Sequence, residues 1–487
     1  MLNRDYLKKK AVKTGLQNDW LSFKKVKNRV NYAIRREKAS FYRNKLNANH
    51  ANPKSTWKTL NDLMGKKSAI TEISEIQGSS SETLTNAKDI ADHLNKHFTQ
   101  IGPDLAYKIP AIPVNAEDYL RREPSVFEFS EIDPSRVLNL LLKVDIARAT
   151  ALDQISNKVL KLAAPIIYRQ LTDLFNLSVR SGVFPVDWKL AKVSPIYKTG
   201  ERIDPNNYRP ISVLSTIARI FEKVMYEQFY DYLSRKNILD PRQSGFRSLH
   251  STVTALLDLT NQWCFNIDRG LINGVLFLDL KKAFDTVDHN LLLIKLEYVG
   301  VRGQTLEWFK SYLSNRSQAV FINGVLSEHE QIKCGVPQGS ILGPLLFLIY
   351  INDLSSIIGI ATTRMYADDT NLTFTACNIP ELQEQMSVDI QCLKNWLIAN
   401  KLTLNVIKTE FMLVGSRQRI ATMTENMNTF LNGISLNRVN CSKCLGVEID
   451  EFLTWDTHIA SVSKKVSSGI SIMRKVKPFI PISSLLN

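Results

Sequence analysis

Arg364-Met365-Tyr366-Ala367-Asp368-Asp369-Thr370-Asn371-Leu372 puts two adjacent carboxylates between apolar runs, Ile357-Ile358-Gly359-Ile360 before them and Leu372-Thr373-Phe374 after. The pattern predicts a β-hairpin with the acids at or near its turn. Neighbouring carboxylates on a tight turn repel unless a cation sits between them, so the pair is expected to ligate a hard, oxygen-loving metal. An isolated Asp-Asp is usually a solvated turn, and context decides which reading holds.

Working outward, a third acid lies about ninety residues upstream, in Gly274-Val275-Leu276-Phe277-Leu278-Asp279-Leu280. A lone Asp in a strand fit for a core costs several kcal/mol if unpaired, so it must be neutralised or stand at the strand's working end. Asp279, Asp368 and Asp369 together suit a site for two Mg²⁺ ions, with Mn²⁺ as a possible substitute. Such ions, about 4 Å apart, activate an attacking oxygen and stabilise a leaving oxygen in phosphoryl transfer.

Three stretches, taken together, resemble a reverse transcriptase. Phe277 to Asp285 is similar to the family's first catalytic motif, Gly335-Val336-Pro337-Gln338-Gly339-Ser340 to its substrate-positioning loop, and Tyr366-Ala367-Asp368-Asp369 to its signature hairpin. Asn206-Asn207-Tyr208-Arg209-Pro210-Ile211 and Phe347 to Leu354 resemble the non-LTR, LINE-like branch, above all its jockey-type elements. The resemblance covers roughly residues 145 to 450.

Composition sets outer limits. The 487 residues are 44% apolar, which suits a globular chain of two or three domains and excludes a wholly disordered one. The net charge of +15 favours a polyanionic partner, and about +11 of it lies in residues 1–50, with fourteen basic against three acidic side chains. Six cysteines without a secretory signal suggest a reducing compartment. Cys441-Ser442-Lys443-Cys444 has half the spacing of a zinc site but no second pair in order. The longest apolar run, Ile341 to Ile351, contains Gly343 and Pro344 and is too short to span a bilayer.

Along the chain, Phe23, Val26, Val30 and Ala33 recur at helical spacing among basic residues, which predicts a helical arm for nucleic acid or a solvated face. Gly78-Ser79-Ser80-Ser81 reads as a loop, Asn86 to Ile101 as a helix, and Pro103, Pro110 and Pro113 as breaks in regular structure. Glu131 to Leu142 reads as an amphipathic helix. In Arg148 to Ile155 the family usually has Gly where Ala151 and Gln154 stand. Trp188 to Lys198 and Asn207 to Ile211 read as a two-stranded hairpin. A helix is expected over Ala218 to Arg235, and Ser251-Thr252 is expected to cap another over Val253 to Asn266.

The resemblance implies roles. Lys198 and Arg209 would clasp the triphosphate of an incoming nucleotide. Phe284 would pack on its sugar and exclude a 2′-hydroxyl, favouring dNTPs. Gln338 and Gly339 would lie against the template–nucleotide pair, the backbone carbonyl of Leu280 would complete a metal sphere, and Lys408 would protonate pyrophosphate. Arg247 would contact template phosphate or brace the fold. Gly446, in Cys444 to Asp450, would belong to a hairpin gripping the primer end.

The expected fold is α+β, a right-hand polymerase with fingers, a palm carrying an antiparallel sheet, and a partial thumb. The expected domains are a basic helical N-terminal extension and connector over 1–124, fingers and palm over 125–450, and the start of a truncated thumb over 451–487. The implied activity is RNA-directed DNA polymerisation, a nucleotidyltransferase reaction on an RNA template and DNA primer, away from membranes. By resemblance it would work as a ribonucleoprotein in nucleus and cytoplasm. An RNA-dependent RNA polymerase is disfavoured by Phe284 and by Ala367. The remaining alternative is an inactive truncated relic, or a maturase-like RNA-binding protein.

Overall fold

Gly274 to Leu278 reads as a continuous apolar run because the strand it forms is covered on both faces. In the computed structural model, which describes residues 2–48, 52–65, 72–78, 82–110, 113–422, 430–431 and 434–479, it is the centre of a sheet. Ser79 to Ser81, in the expected loop, lie outside the described residues. Two units divide the chain: Met1–Ile70 with Asp456–Asn487, and Thr71–Trp455.

The first unit contains α1 (Leu2–Thr14), α2 (Gln17–Ala48), α3 (Pro53–Leu63) and the helix Asp456–Val476. The basic stretch is therefore helical, as its spacing predicts. Phe23 is buried, whereas Ala33, on the same expected face, is exposed. Leu46 and Val476 are buried together, with Leu60, Leu63 and Met64 packed around them.

In the second unit the strands of three or more residues are, in chain order, β1 (Leu190–Tyr197), β2 (Tyr208–Val213), β3 (Ile272–Leu278), β4 (Arg316–Ile322), β5 (Glu330–Ile332), β6 (Thr362–Tyr366), β7 (Asp369–Ala376), β8 (Glu410–Val414), β9 (Cys441–Cys444) and β10 (Val447–Asp450). One sheet runs β8-β3-β7-β6 with antiparallel neighbours, and Asn437–Arg438 adds in parallel to β8. The expected two-stranded hairpin of β1 and β2 is instead part of a larger sheet. β1 pairs antiparallel with β2 and in parallel with β4, and β5 pairs with β4. Parallel pairing brings residues from far along the chain, which local spacing cannot reveal.

The helices cover these sheets. They are α4 (Ala87–Tyr107), α5 (Pro134–Leu142), α6 (Asn157–Ser181), α7 (Thr216–Arg235), α8 (Thr252–Asp268), α9 (His289–Tyr298), α10 (Gly303–Leu313), α11 (Leu342–Tyr350) and α12 (Ile379–Ala399). Alternation along β3 sends Leu276 and Leu278 into the main core, and Val275 into a second cluster with Leu259, Trp263 and Met412. Gly274 gives the close approach its room: a Cβ there would lie 2.8 Å from Leu382 of α12.

In α4, Ile90, Leu94 and Phe98 pack with Val193 and Val320, as the spacing predicts. The helix nevertheless runs through Pro103 instead of breaking there. Ser251 caps α8 through the Thr254 N–H, and Asp133 caps α5 with Pro134 in its first turn. Gln154 adopts a left-handed φ of 55°, so the turn expected of Gly is made with a side chain present.

One buried ion pair ties three helical segments. Lys295 of α9 meets Asp353 at 2.5 Å, and Asp353 accepts the Trp396 indole N–H of α12 at 2.8 Å. Removing one partner strands the other charge away from water. Asp353→Ala is therefore expected to cost about 3–5 kcal/mol of unfolding free energy, and Lys295→Met with Asp353→Leu appreciably less. Urea titration of the three proteins checks the ordering.

Candidate polymerase active site

The acid-bearing turn is built as the sequence suggests, with one shift. The incoming strand is β6, Thr362–Tyr366, and Ile357 to Ile360 precede it outside any strand. Asp369 faces Tyr366 across a two-residue turn of Ala367 and Asp368. Ala367 takes a left-handed φ of 57°, a conformation that costs a Cβ-bearing residue roughly 1–2 kcal/mol.

Buried Gln243 holds that conformation. Its Oε1 accepts the Ala367 N–H at 2.8 Å and the Gly245 N–H at 2.7 Å, while its Nε2 donates to the Ala367 carbonyl at 3.3 Å. The backbone beside it runs parallel to β6, with the Ser244 N–H on the Met365 carbonyl and the Met365 N–H on the Arg242 carbonyl. Gly245 is required for this approach, since a Cβ there would stand 2.2 Å from the Ala367 nitrogen.

Asp279 follows β3 directly. Its Oδ2 accepts Asn405 Nδ2 at 2.7 Å, and its backbone carbonyl accepts the Asn405 N–H at 2.7 Å. The Lys281 N–H bonds to the Thr403 carbonyl, so Leu280 occupies the non-hydrogen-bonded position of this bridge. Its carbonyl therefore points away from the partner segment.

The acids feel one another. Burial, followed by the charges of Asp368 and Asp279, pushes the Asp369 carboxyl above its ordinary range. Burial raises Asp368 as well, with Asp279 adding and the charges of Arg209 and Lys198 opposing. All three offer only oxygen, which suits a hard divalent cation. Among the described residues no group of three or more His, Cys, Asp or Glu converges closely enough to hold a metal ion. The set fits an ion of the Mg²⁺ kind, which takes one or two carboxylates and fills its sphere with water and substrate oxygens.

Two cavities meet at this point. One, of about 860 Å³, is lined by Lys198, Arg209, Phe284, Gln338, Gly339 and Asp368 among others. The other, of about 690 Å³, is lined by Asp369 and by Lys443, Cys444 and Leu445 of the β9–β10 hairpin. Asp279 and Lys408 line both. Leu280 lines the first, and Gly446 forms the turn of the hairpin at φ 92°. Phe284 stacks on Phe347 at 4.4 Å and meets Phe246 edge-on at 6.2 Å.

Two sequence-predicted residues have a structural occupation. Arg247 donates to the backbone carbonyls of Asp240 at 2.6 Å and Gln243 at 3.1 Å, the bracing arrangement of its two expected roles. Gly339, at φ 132°, uses its missing Cβ to pass the Ser212 carbonyl of β2, where a Cβ would lie at 2.3 Å. Gln243 and Asn405 were not legible in the sequence. Uncharged amides carry no signal until their partners are known. His97 of α4 also lines the larger cavity, with burial lowering its pKa to about 4.

An antiparallel sheet here delivers three carboxylates to the junction of a cation-lined cavity and a hairpin-lined one, an arrangement suited to metal-assisted phosphoryl transfer. The chain belongs to the reverse transcriptase (RNA-dependent DNA polymerase) family, whose model matches residues 196–449. It is 26% identical to a probable RNA-directed DNA polymerase from transposon X-element of Drosophila melanogaster, over 80% of this chain and 42% of that protein. It is 29% identical to the corresponding protein of transposon BS of the same fly, over 70% of this chain and 39% of that one. Against the RNA-directed DNA polymerase from mobile element jockey the identity is 26%, over 80% and 43%. The chain thus spans about two fifths of the length of these relatives. No described helix is long and apolar enough to cross a membrane.

Gly245→Ala is expected to lower nucleotide addition by at least about a hundredfold, because a displacement of about 1 Å at a reacting group costs that much. Circular dichroism and thermal melting should show the fold retained. Full activity in this variant would show that the turn does not depend on the close approach.

Proposed function

We propose that the chain is an RNA-directed DNA polymerase of a non-LTR retrotransposon, adding dNTPs to a primer 3′-hydroxyl on an RNA template. One observation carries the reading: Asp279 stands on the shared rim of two cavities, one cationic and one bounded by a hairpin. Such a junction suits an attacking oxygen arriving from one side and a triphosphate from the other. The β8-β3-β7-β6 sheet would be the palm, the β1–β2 sheet the fingers, and the helix Asp456–Val476 the start of a thumb, with the basic N-terminal helices as an extension.

Asp279 and Asp368 would bridge two Mg²⁺ ions, with Asp369 and the Leu280 carbonyl in support. When bound, such ions lower the pKa of the attacking hydroxyl and absorb charge on the leaving oxygen. Lys198 and Arg209 bind the triphosphate, a point charge beside a bidentate fork. Phe284, fixed by its stack on Phe347, closes the space beside C2′. Lys408 reaches both cavities and is placed to donate a proton to pyrophosphate. Gly446 lets the β9–β10 turn lie along the primer end. The template is RNA and the product DNA, by analogy with the relatives' names, and the primer is DNA as the resemblance implies.

Primer extension on an RNA template with Mg²⁺ tests the proposal. The unaltered chain should incorporate dNTPs, and Asp368→Asn should lower kcat by about 10³-fold or more, as loss of a central electrostatic group does. Phe284→Val should raise ribonucleotide incorporation by about 10- to 100-fold relative to dNTPs. RNA binding without synthesis by the unaltered chain would instead establish the non-catalytic relative.

A further inference from the structure

Asp285 has no part in the chemistry above, yet it lies half-buried in the lining of the cationic cavity. Its Oδ1 accepts Gln338 Nε2 at 2.8 Å. No ion pair to it exists among the described residues. Lys282, the nearest cation in sequence, spends its ammonium on the Asn206 and Tyr208 carbonyls, at 3.1 Å and 3.4 Å. A half-buried carboxylate left to an amide, with cations nearby but not bonded, is an uncommon choice for a residue serving only stability.

The backbone around this contact is already secured. The Val336 N–H donates to the Phe284 carbonyl at 2.8 Å, and the Gly335 N–H to that of Val287 at 2.7 Å. The Ser212 N–H holds the Gln338 carbonyl at 2.8 Å. The loop would thus stay in place without the Asp285 side chain. What remains for Asp285 to determine is which end of the Gln338 amide faces the cavity.

We propose that Asp285 is a positioning residue that orients the Gln338 amide, so that its carbonyl oxygen is presented to the incoming nucleotide as a fixed hydrogen-bond acceptor. An ionised carboxylate can only accept, so it captures the NH₂ end and turns Oε1 outward. Among the described residues no protein donor occupies that Oε1. Burial raises the Asp285 carboxyl to about 6, which leaves it ionised above neutrality. The selected ligand chemistry is a hydrogen-bond donor on the sugar or base of a nucleoside triphosphate. This inference rests on the cavity being the nucleotide site.

Single-nucleotide addition, with the dNTP titrated, tests it on the full chain. Asp285→Leu should raise KM about tenfold with a smaller change in kcat, the signature of lost ground-state positioning. Asp285→Asn keeps the shape but lets the amide pair either way, and should raise KM about threefold; it carries the test if the Leu variant fails to fold. Gln338→Ala should raise KM alone, and adding Asp285→Leu to it should cost little more, since the two act as one unit. Wild-type KM in both Asp285 variants, or costs that simply add, would overturn the proposal while leaving the nucleotide site intact. No addition by the unaltered chain would overturn the nucleotide site, and this inference with it.

Discussion

Keeping three carboxylates within one another's field, where two cavities share a rim, is the constraint on which the rest of this structure depends. Burial raises the cost of ionising Asp368 and Asp369, and the charge of a neighbouring acid raises it further. Left to themselves, such groups would splay outward or take up protons. They are instead fixed by the backbone that carries them. Asp279 extends from the most protected strand of its sheet, and Asp368 and Asp369 stand on a turn whose strained residue is clamped from the side. The repulsion that remains is available to a divalent cation, which would remove it on binding.

The clamps themselves are chosen consistently. Gln243 holds the turn, Asn405 holds Asp279, and Gln338 answers Asp285. An amide can both donate and accept and carries no net charge, so it can fix a carboxylate without neutralising it. A lysine in the place of Asn405 would pair with Asp279 and compete with any metal. The cations of the site, Lys198 and Arg209, make no ion pair among the described residues, and their charge reaches Asp368 across the cavity. They are thereby kept for an anionic ligand. Glu222 extends the pattern one layer deeper: buried and accepting the Ile341 N–H, it caps the helix that follows the Gln338 loop.

This division explains what the sequence showed and what it did not. The hairpin, the Asp279 strand and helices α4, α7 and α8 were legible because periodicity and capping are local properties. Lys198, Arg209, Phe284, Gln338 and Asp368 could be placed on one site because their motifs resemble those of a reverse transcriptase, and they do line one cavity. The parallel pairing of β1 with β4 was hidden, since its partners are more than a hundred residues apart. Gln243, Asn405 and Asp285 were hidden for a chemical reason. Each matters through one partner brought near by folding, and neither its type nor its spacing advertises that partner. Pro103 misled because proline is a helix breaker on average, yet here the helix continues through it under tertiary packing.

The two cavities follow from the same geometry. A single acid at the end of a central strand must face whatever lies on either side of the sheet's edge. On one side β1 and β2 bring cations and the Gln338 loop adds an amide; on the other the β9–β10 hairpin closes the space with Cys444 and Leu445. The Cys444 thiol is pushed up to about 12, chiefly by burial, so it offers no competing nucleophile beside Lys443 and Leu445 of the same wall. The two walls therefore differ in kind: cations and an amide line one cavity, and a hairpin carrying Lys443, Cys444 and Leu445 bounds the other.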